Sequence, residues 1–193
     1  EIKHLKRILY IEDEVRKLEA FFSDATGGYR FWSAQRTWAR RVLKGKSFSI
    51  IAPTGMGKTM FGLVTALYLY RKGKGKIYLV FPTTPLLNQA YEKLLKLSER
   101  ASVNPKIIAF HSRISRKTRE EYLQRISNGD FDILLTTSMF IHKYTELLRK
   151  HRYSFIMVDD VDAILRSGKS IRLLLQIMGF TEEEIDAALQ LIK

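Results

Sequence analysis

Ser47-Phe48-Ser49-Ile50-Ile51-Ala52, followed by Pro53-Thr54-Gly55-Met56-Gly57-Lys58-Thr59, is the stretch whose reading decides the fold. Its first six residues form a short apolar run that predicts a buried strand, and Met60 to Tyr70 continues with the apolar spacing of a helix. Strand, glycine loop and helix in that order make a phosphate-binding loop. Gly55 and Gly57 reach backbone conformations closed to other residues, so successive N–H groups can converge on one anion. The helix that follows aims its positive end at the same point. Lys58 then supplies a point charge to the β- and γ-phosphates of a nucleotide, and the Thr59 hydroxyl a ligand for Mg²⁺. A strict pattern has glycine where this chain has Ala52. The competing reading, a glycine-rich turn before an ordinary helix, is disfavoured by the strand and helix expected on either side.

Outward from the loop, strands and helices alternate. Leu5 to Phe22 has helical spacing with an acidic patch at Glu12, Asp13 and Glu14, and Gly27-Gly28 breaks it. Ser33 is placed to cap a helix carrying Gln35, Trp38 and Val42. Beyond the loop, strands are predicted at Ile77 to Phe81, Lys106 to Phe110, Phe131 to Leu135 and Phe155 to Val158. Helices are predicted at Leu86 to Leu97, Ser115 to Ser127 and Met139 to Lys150, with a last one starting at Thr181-Glu182-Glu183-Glu184. A parallel sheet covered by helices on both faces is the economical α/β fold.

The 193 residues, 46% of them hydrophobic, suffice for one domain with a real core. Thirty-three Lys and Arg against twenty Asp and Glu give +13, which suggests a polyanionic partner or, equally, a basic solvated face. The absence of cysteine excludes disulfides and Cys-based zinc sites within these residues. No apolar run approaches a membrane span and no signal peptide precedes the first helix, so a cytoplasmic setting without membrane contact is expected. Abundant lysine without cysteine also fits a thermophile.

A phosphate loop that binds Mg²⁺ needs a carboxylate, usually from the end of a buried strand. Phe155-Ile156-Met157-Val158-Asp159-Asp160 supplies one: Asp159 to reach the metal's water shell, Asp160 to orient or deprotonate an attacking water. Alone, these two would read as a solvated acidic turn; paired with Lys58 and Thr59 they read as the second half of a site.

Taken in order, Ala52 to Thr59, Pro82-Thr83-Thr84-Pro85-Leu86-Leu87-Asn88-Gln89, Thr136-Thr137-Ser138 and Asp159-Asp160-Val161-Asp162 resemble the motifs of the first RecA-like lobe of superfamily 2 helicases. Within that superfamily the string Asp159-Asp160-Val161-Asp162-Ala163, with Arg30-Phe31-Trp32-Ser33 and Gln35-Arg36 near the start, is similar to reverse gyrases. Those enzymes join a helicase-like ATPase to a type IA topoisomerase and introduce positive supercoils into DNA. The resemblance covers about Tyr29 to Phe180. It implies a P-loop NTPase fold with a RecA-like parallel sheet, and ATP with Mg²⁺ as ligands. It also implies a helical extension at residues 1–28, with the first RecA-like lobe at 29–193.

The same resemblance assigns roles. Ala52, Pro53, Thr54, Gly55, Met56, Gly57, Lys58 and Thr59 would hold the phosphates. Gln35 would read adenine through an amide that both donates and accepts, against the alternative of a helix-surface residue. Thr83, Thr84, Thr136 and Thr137 would grip the DNA backbone, or else cap the helices that follow them. Arg113, Arg116, Lys117 and Arg119 form a basic cluster open to either a DNA or a solvent reading, and His111 reads as a polar strand-end residue. A second RecA-like lobe and a topoisomerase domain are the partners implied in the parent chain. No Ser-Ala-Thr-like motif follows Asp162, so the first lobe is expected to be incomplete at its C-terminal end. Where the related DEAD-box proteins carry glutamate, this chain has Asp160, whose carboxylate is set back by about 1.5 Å, which implies slow hydrolysis that depends on DNA and a partner lobe.

Overall fold

The computed structural model describes residues 2–53, 55–164 and 168–191. It divides into two compact units, one of Glu1–Lys72 with Lys93–Asn104, the other of Gly73–Glu92 with Pro105–Lys193.

The first unit contains α1 (Ile2–Thr26), α2 (Ser33–Leu43) and α3 (Lys58–Arg71). Helix α1 buries Ile11, Val15, Leu18, Phe22 and Ala25, spaced four and three apart as one helix face requires. It packs on both other helices. Helix α3 is buried on every side from Phe61 to Leu69, which explains why its sequence is apolar all round rather than striped. Aromatic rings knit the three together: Phe22 to Phe31 at 4.8 Å, Phe31 to Phe61 at 5.7 Å, Trp38 to Phe61 at 5.5 Å and Phe21 to Tyr68 at 5.6 Å.

One expected element of this unit does not form. Ser47 to Ala52 is irregular rather than a strand, and Ile51 is 99% exposed. An extended segment becomes a strand only when its N–H and C=O groups meet a neighbour. Among the described residues no strand pairs with it. A short apolar run carries no information about that neighbour.

In the second unit the strands are β1 (Lys76–Phe81), β2 (Ile107–Phe110), β3 (Ile133–Thr137) and β4 (Tyr153–Val158), hydrogen-bonded in the order β2-β3-β1-β4 with every pair parallel. The central strands β1 and β3 are buried almost throughout, as parallel strands covered on both faces must be. The helices are α4 (Thr84–Arg100), which extends into the first unit's residues, α5 (Arg116–Asn128), α6 (Ser138–Arg149), α7 (Val161–Ile164), α8 (Gly168–Ile177) and α9 (Glu182–Leu191). Tyr78, Val80, Ile108, Phe110, Ile126, Phe131, Leu134, Phe140 and Ile177 form its core.

The local signals behave as the chemistry demands. Ser115 accepts a hydrogen bond from the Thr118 N–H at 3.1 Å, and Gly129 closes α5 at φ +71°. Thr181 and Glu184 cap α9 reciprocally, side chain to backbone N–H in both directions. Helices α7 and α8 were not anticipated in the sequence. The α/β, RecA-like arrangement of a parallel sheet with helices around it is the fold observed.

Candidate functional site

The glycine loop lies in the first unit. Gly55 has φ +84° and Gly57 φ +73°, both in the left-handed region, and Gly57 is the residue on which α3 begins. That conformation costs a non-glycine residue about 1–2 kcal/mol, so the two glycines are there for their backbone. The Lys58 ammonium donates to the carbonyl of Ala52 and, at 3.1 Å, to that of Pro53. It thereby ties the first residue of α3 back to the chain entering the loop. Met56, Lys58 and Thr59 are half-buried, Pro53 and Gly55 exposed. Thr54 lies outside the described residues.

Gln35 is only 4% exposed, so it is not a helix-surface residue. Its Oε1 accepts from the Trp32 N–H at 3.3 Å, closing the first turn of α2 from the third helical position. The cap therefore involves Gln35 and Trp32 where Ser33 had been expected. Its Nε2 faces Gly57: a Cβ on that glycine would stand 3.1 Å from it. The structure thus brings Gln35 and the glycine loop into contact although 22 positions separate Gln35 from Gly57. Trp32, 37% exposed and edge-on to Trp38 at 5.9 Å, adds an aromatic surface beside Gln35.

Within the second unit, parallel pairing sends the C-terminal ends of all four strands to one edge. There Phe81 is level with Thr137 and Val80 with Val158. Ligand sites of open α/β sheets lie at that edge. Asp159 follows β4 directly, its N–H donating to the Val80 carbonyl at 2.9 Å. Asp160 is exposed with φ +53°, a left-handed conformation that Asp and Asn tolerate better than longer side chains.

The four threonines differ sharply. Thr136 is fully buried and its hydroxyl is engaged at 2.8 Å by that of Tyr78, so its side chain is turned into the sheet. Thr137 is half-buried at the N-cap of α6, and its hydroxyl makes no cap bond. Thr83 is exposed, with only a marginal 3.5 Å contact from the Leu86 N–H, and Thr84 starts α4 half-buried. In the basic cluster, Arg116 is 92% exposed and paired with Glu120, and Arg119 reaches the Ser112 carbonyl. His111 accepts from the Arg113 N–H, and burial followed by the Arg113 charge holds its pKa below the usual value.

Sequence reasoning missed what the acids of α1 do. Glu12 takes a two-pronged bond from Arg40, Nε to Oε1 at 2.5 Å and Nη2 to Oε2 at 2.9 Å, and Glu19 pairs with Arg36 at 2.9 Å. The Arg40 hydrogen bond outweighs partial desolvation and holds the Glu12 carboxyl below the usual range. Glu14 is buried and accepts from Tyr68, Lys17 and Lys72 at 3.0, 3.0 and 3.2 Å. Burial pushes its pKa up, but the three donors prevail and the net shift is downward. A signal existed: Glu12 and Glu19 are two helical turns apart, Arg36 and Arg40 one turn, so each pair shares a face.

Within the first unit the residue types fit a nucleotide's phosphates with a hard cation: a glycine cradle that a Cβ would strain, a lysine and the Thr59 hydroxyl; the second unit separately carries the Asp159 carboxylate at its strand edge. Among the described residues no group of His, Asp or Glu would hold a metal on its own, and no helix is long and apolar enough to cross a membrane. In comparisons with known proteins, the profile of the DEAD/DEAH box helicase family matches residues 32–189. Reverse gyrases of Pyrococcus horikoshii and Pyrococcus furiosus are each 45% identical over 193 residues, all of this chain but 12% and 16% of theirs. A reverse gyrase of Aquifex aeolicus is 42% identical over 192 residues, 98% of this chain and 16% of its own. The chain thus spans a small part of these relatives' length, and both findings fit the N-terminal helicase-like module of such an enzyme.

Proposed function

Because the chain belongs to the DEAD/DEAH box helicase family, we propose that it is the ATP-binding lobe of a reverse gyrase. In the parent protein it would work with a second RecA-like lobe and a type IA topoisomerase domain to introduce positive supercoils into DNA. The observation that carries the reading is the glycine loop: left-handed Gly55 and Gly57, Lys58 poised on the loop carbonyls, and Gln35 against Gly57.

The main chain from Ala52 to Gly57 holds phosphate oxygens, and Lys58 exchanges its two carbonyl partners for the β- and γ-phosphates. Thr59 and Asp159 serve as oxygen donors toward Mg²⁺, and Gln35 reads the adenine edge with the amide group that faces Gly57. Bound ATP·Mg²⁺ supplies the hydrolysable phosphoanhydride. Asp160 orients or deprotonates the attacking water from a carboxylate set back by about 1.5 Å relative to glutamate, and so acts slowly until DNA and the partner lobe close on it. Thr83, Thr84 and Thr137 contact DNA phosphates through hydroxyl and N–H groups, Thr136 through its main chain alone.

An ATP titration of Lys58→Ala tests the core of this reading. Loss of ATP affinity is expected; unchanged affinity, together with unchanged DNA-stimulated hydrolysis in the parent protein, means that the loop is structural. DNA affinity is expected to fall steeply with salt and vary little with sequence. For the parent protein, supercoiling rather than strand separation as the ATP-dependent product distinguishes a reverse gyrase from another helicase of the superfamily.

A further inference from the structure

Helix α1 grips the helix that carries Gln35 at two points. Arg36 and Arg40 lie on one face of α2 and are held by Glu19 and Glu12 of α1. The Glu12–Arg40 contact is two-pronged, which fixes the orientation of the guanidinium plane as well as its distance. Behind the ion pairs, Phe22 of α1 meets Phe31 at 4.8 Å, just upstream of α2. Gln35 is the residue before Arg36. Its amide sits in a tight place, with Oε1 committed to Trp32 N–H and Nε2 close to Gly57. Rotation of α2 about its axis, or sliding along it, would move that amide directly. The phosphate-binding backbone and Lys58 belong instead to the loop and α3, whose tie to α1 runs through Glu14, Tyr68 and Lys72. The polar ties use different residues of α1, Glu12 and Glu19 toward α2 and Glu14 toward α3, while apolar rings, Trp38 on Phe61 among them, join α2 to α3.

We infer that Glu12 and Glu19, through Arg40 and Arg36, are positioning residues that set Gln35 for recognition of the adenine base and leave phosphate binding untouched. The inference rests on the proposed adenine-reading role of Gln35 and assigns α1 a part in nucleotide selectivity.

The test titrates the full 193-residue chain, in Mg²⁺, with ATP, GTP and inorganic tripolyphosphate, following Trp fluorescence or heat. Glu12→Gln is expected to weaken ATP by about threefold to fivefold, the range of one well-oriented surface pair, with tripolyphosphate affinity unchanged and the preference for ATP over GTP reduced. The swapped pair Glu12→Arg with Arg40→Glu should restore that preference, which a general loss of stability would not allow. Arg40→Lys, which keeps the charge and loses the fork, should behave like Glu12→Gln and provides a second route should the first variant fold poorly. Parallel losses of ATP and tripolyphosphate, or no change in selectivity with Glu12→Gln and Arg40→Lys, would overturn the inference. Gln35→Ala separates the two levels: if it leaves the ATP-to-tripolyphosphate ratio untouched, the adenine-reading role itself fails. If it abolishes base selectivity while the Glu12 and Arg40 variants retain it, only the positioning role fails.

Discussion

Substituting alanine at Gly57, with the same change at Gly55 as its control, probes whether the loop is built in the conformation described. Both glycines sit at positive φ, +73° and +84°, where a Cβ costs about 1–2 kcal/mol. That alone lowers the population of the competent loop by a factor of about 5–30. At Gly55 nothing lies within 4 Å of the added carbon, so the backbone effect is the whole effect. At Gly57 the carbon would lie 3.1 Å from Gln35 Nε2, and the amide must withdraw by a few tenths of an ångström. The two variants should therefore lose tripolyphosphate affinity about equally, while Gly57→Ala loses ATP affinity by a further factor of about three, a displaced hydrogen bond. Calorimetric titration with both ligands in Mg²⁺ measures the two ratios. Wild-type tripolyphosphate binding by Gly57→Ala would refute the left-handed loop. Equal ATP-to-tripolyphosphate ratios in the two variants would refute the contact with Gln35.

Three further outcomes follow from individual contacts. Tyr68→Phe removes a buried hydrogen bond to the Glu14 carboxylate without opening a cavity, at a cost of about 2 kcal/mol and a Tm drop of about 4–8 °C. Because the Glu14 pKa is depressed below 4.5 in the folded chain, the cost should be constant from neutral pH down to about 5 and shrink as Glu14 protonates below that, readable from melts across pH. A pH-independent difference would count against the assignment. Asp160→Glu places a longer side chain at φ +53°, so stability should fall slightly even as turnover in the parent protein is kept or raised; a collapse of turnover with folding intact defeats the reach argument. Thr136→Val strands the buried Tyr78 hydroxyl and should cost about 1–3 kcal/mol with DNA affinity preserved, whereas Thr137→Val should weaken DNA binding at little cost in stability; the reverse pattern, from melts and DNA titration, would show the roles exchanged.

Most of the helices, the four strands of the sheet and the composition of the candidate site were legible in the chain, because each rests on local chemistry. Glycines at 55 and 57 with Lys58-Thr59 state a backbone requirement that few other structures share. Ser115 and Gly129 mark both ends of α5, and the apolar runs at β1 and β3 match strands buried on two faces. Ser47 to Ala52 shows the limit of such reading, since an apolar run of six predicts a strand only if a partner strand stands beside it, and none of the described strands does. The threonines show another: four similar residues at strand ends separate into buried Thr136 and accessible Thr83 only when side-chain alternation is set against a real sheet.

What the sequence determined by itself is the set of residue types available: glycines free to turn a loop, a lysine of the kind that meets phosphate, a threonine hydroxyl of the kind that meets a hard cation, and two aspartates after a strand. Those properties reside in residue types and short spacings, and they survive any arrangement of the rest. What only tertiary structure decided is which distant residues share a purpose. Gln35 touches Gly57, Glu12 holds Arg40 and Glu14 gathers Tyr68 and Lys72, because three helices with complementary apolar faces pack in one register. Such contacts depend on side-chain geometry across helices that are remote in sequence, and local spacing carries no record of it.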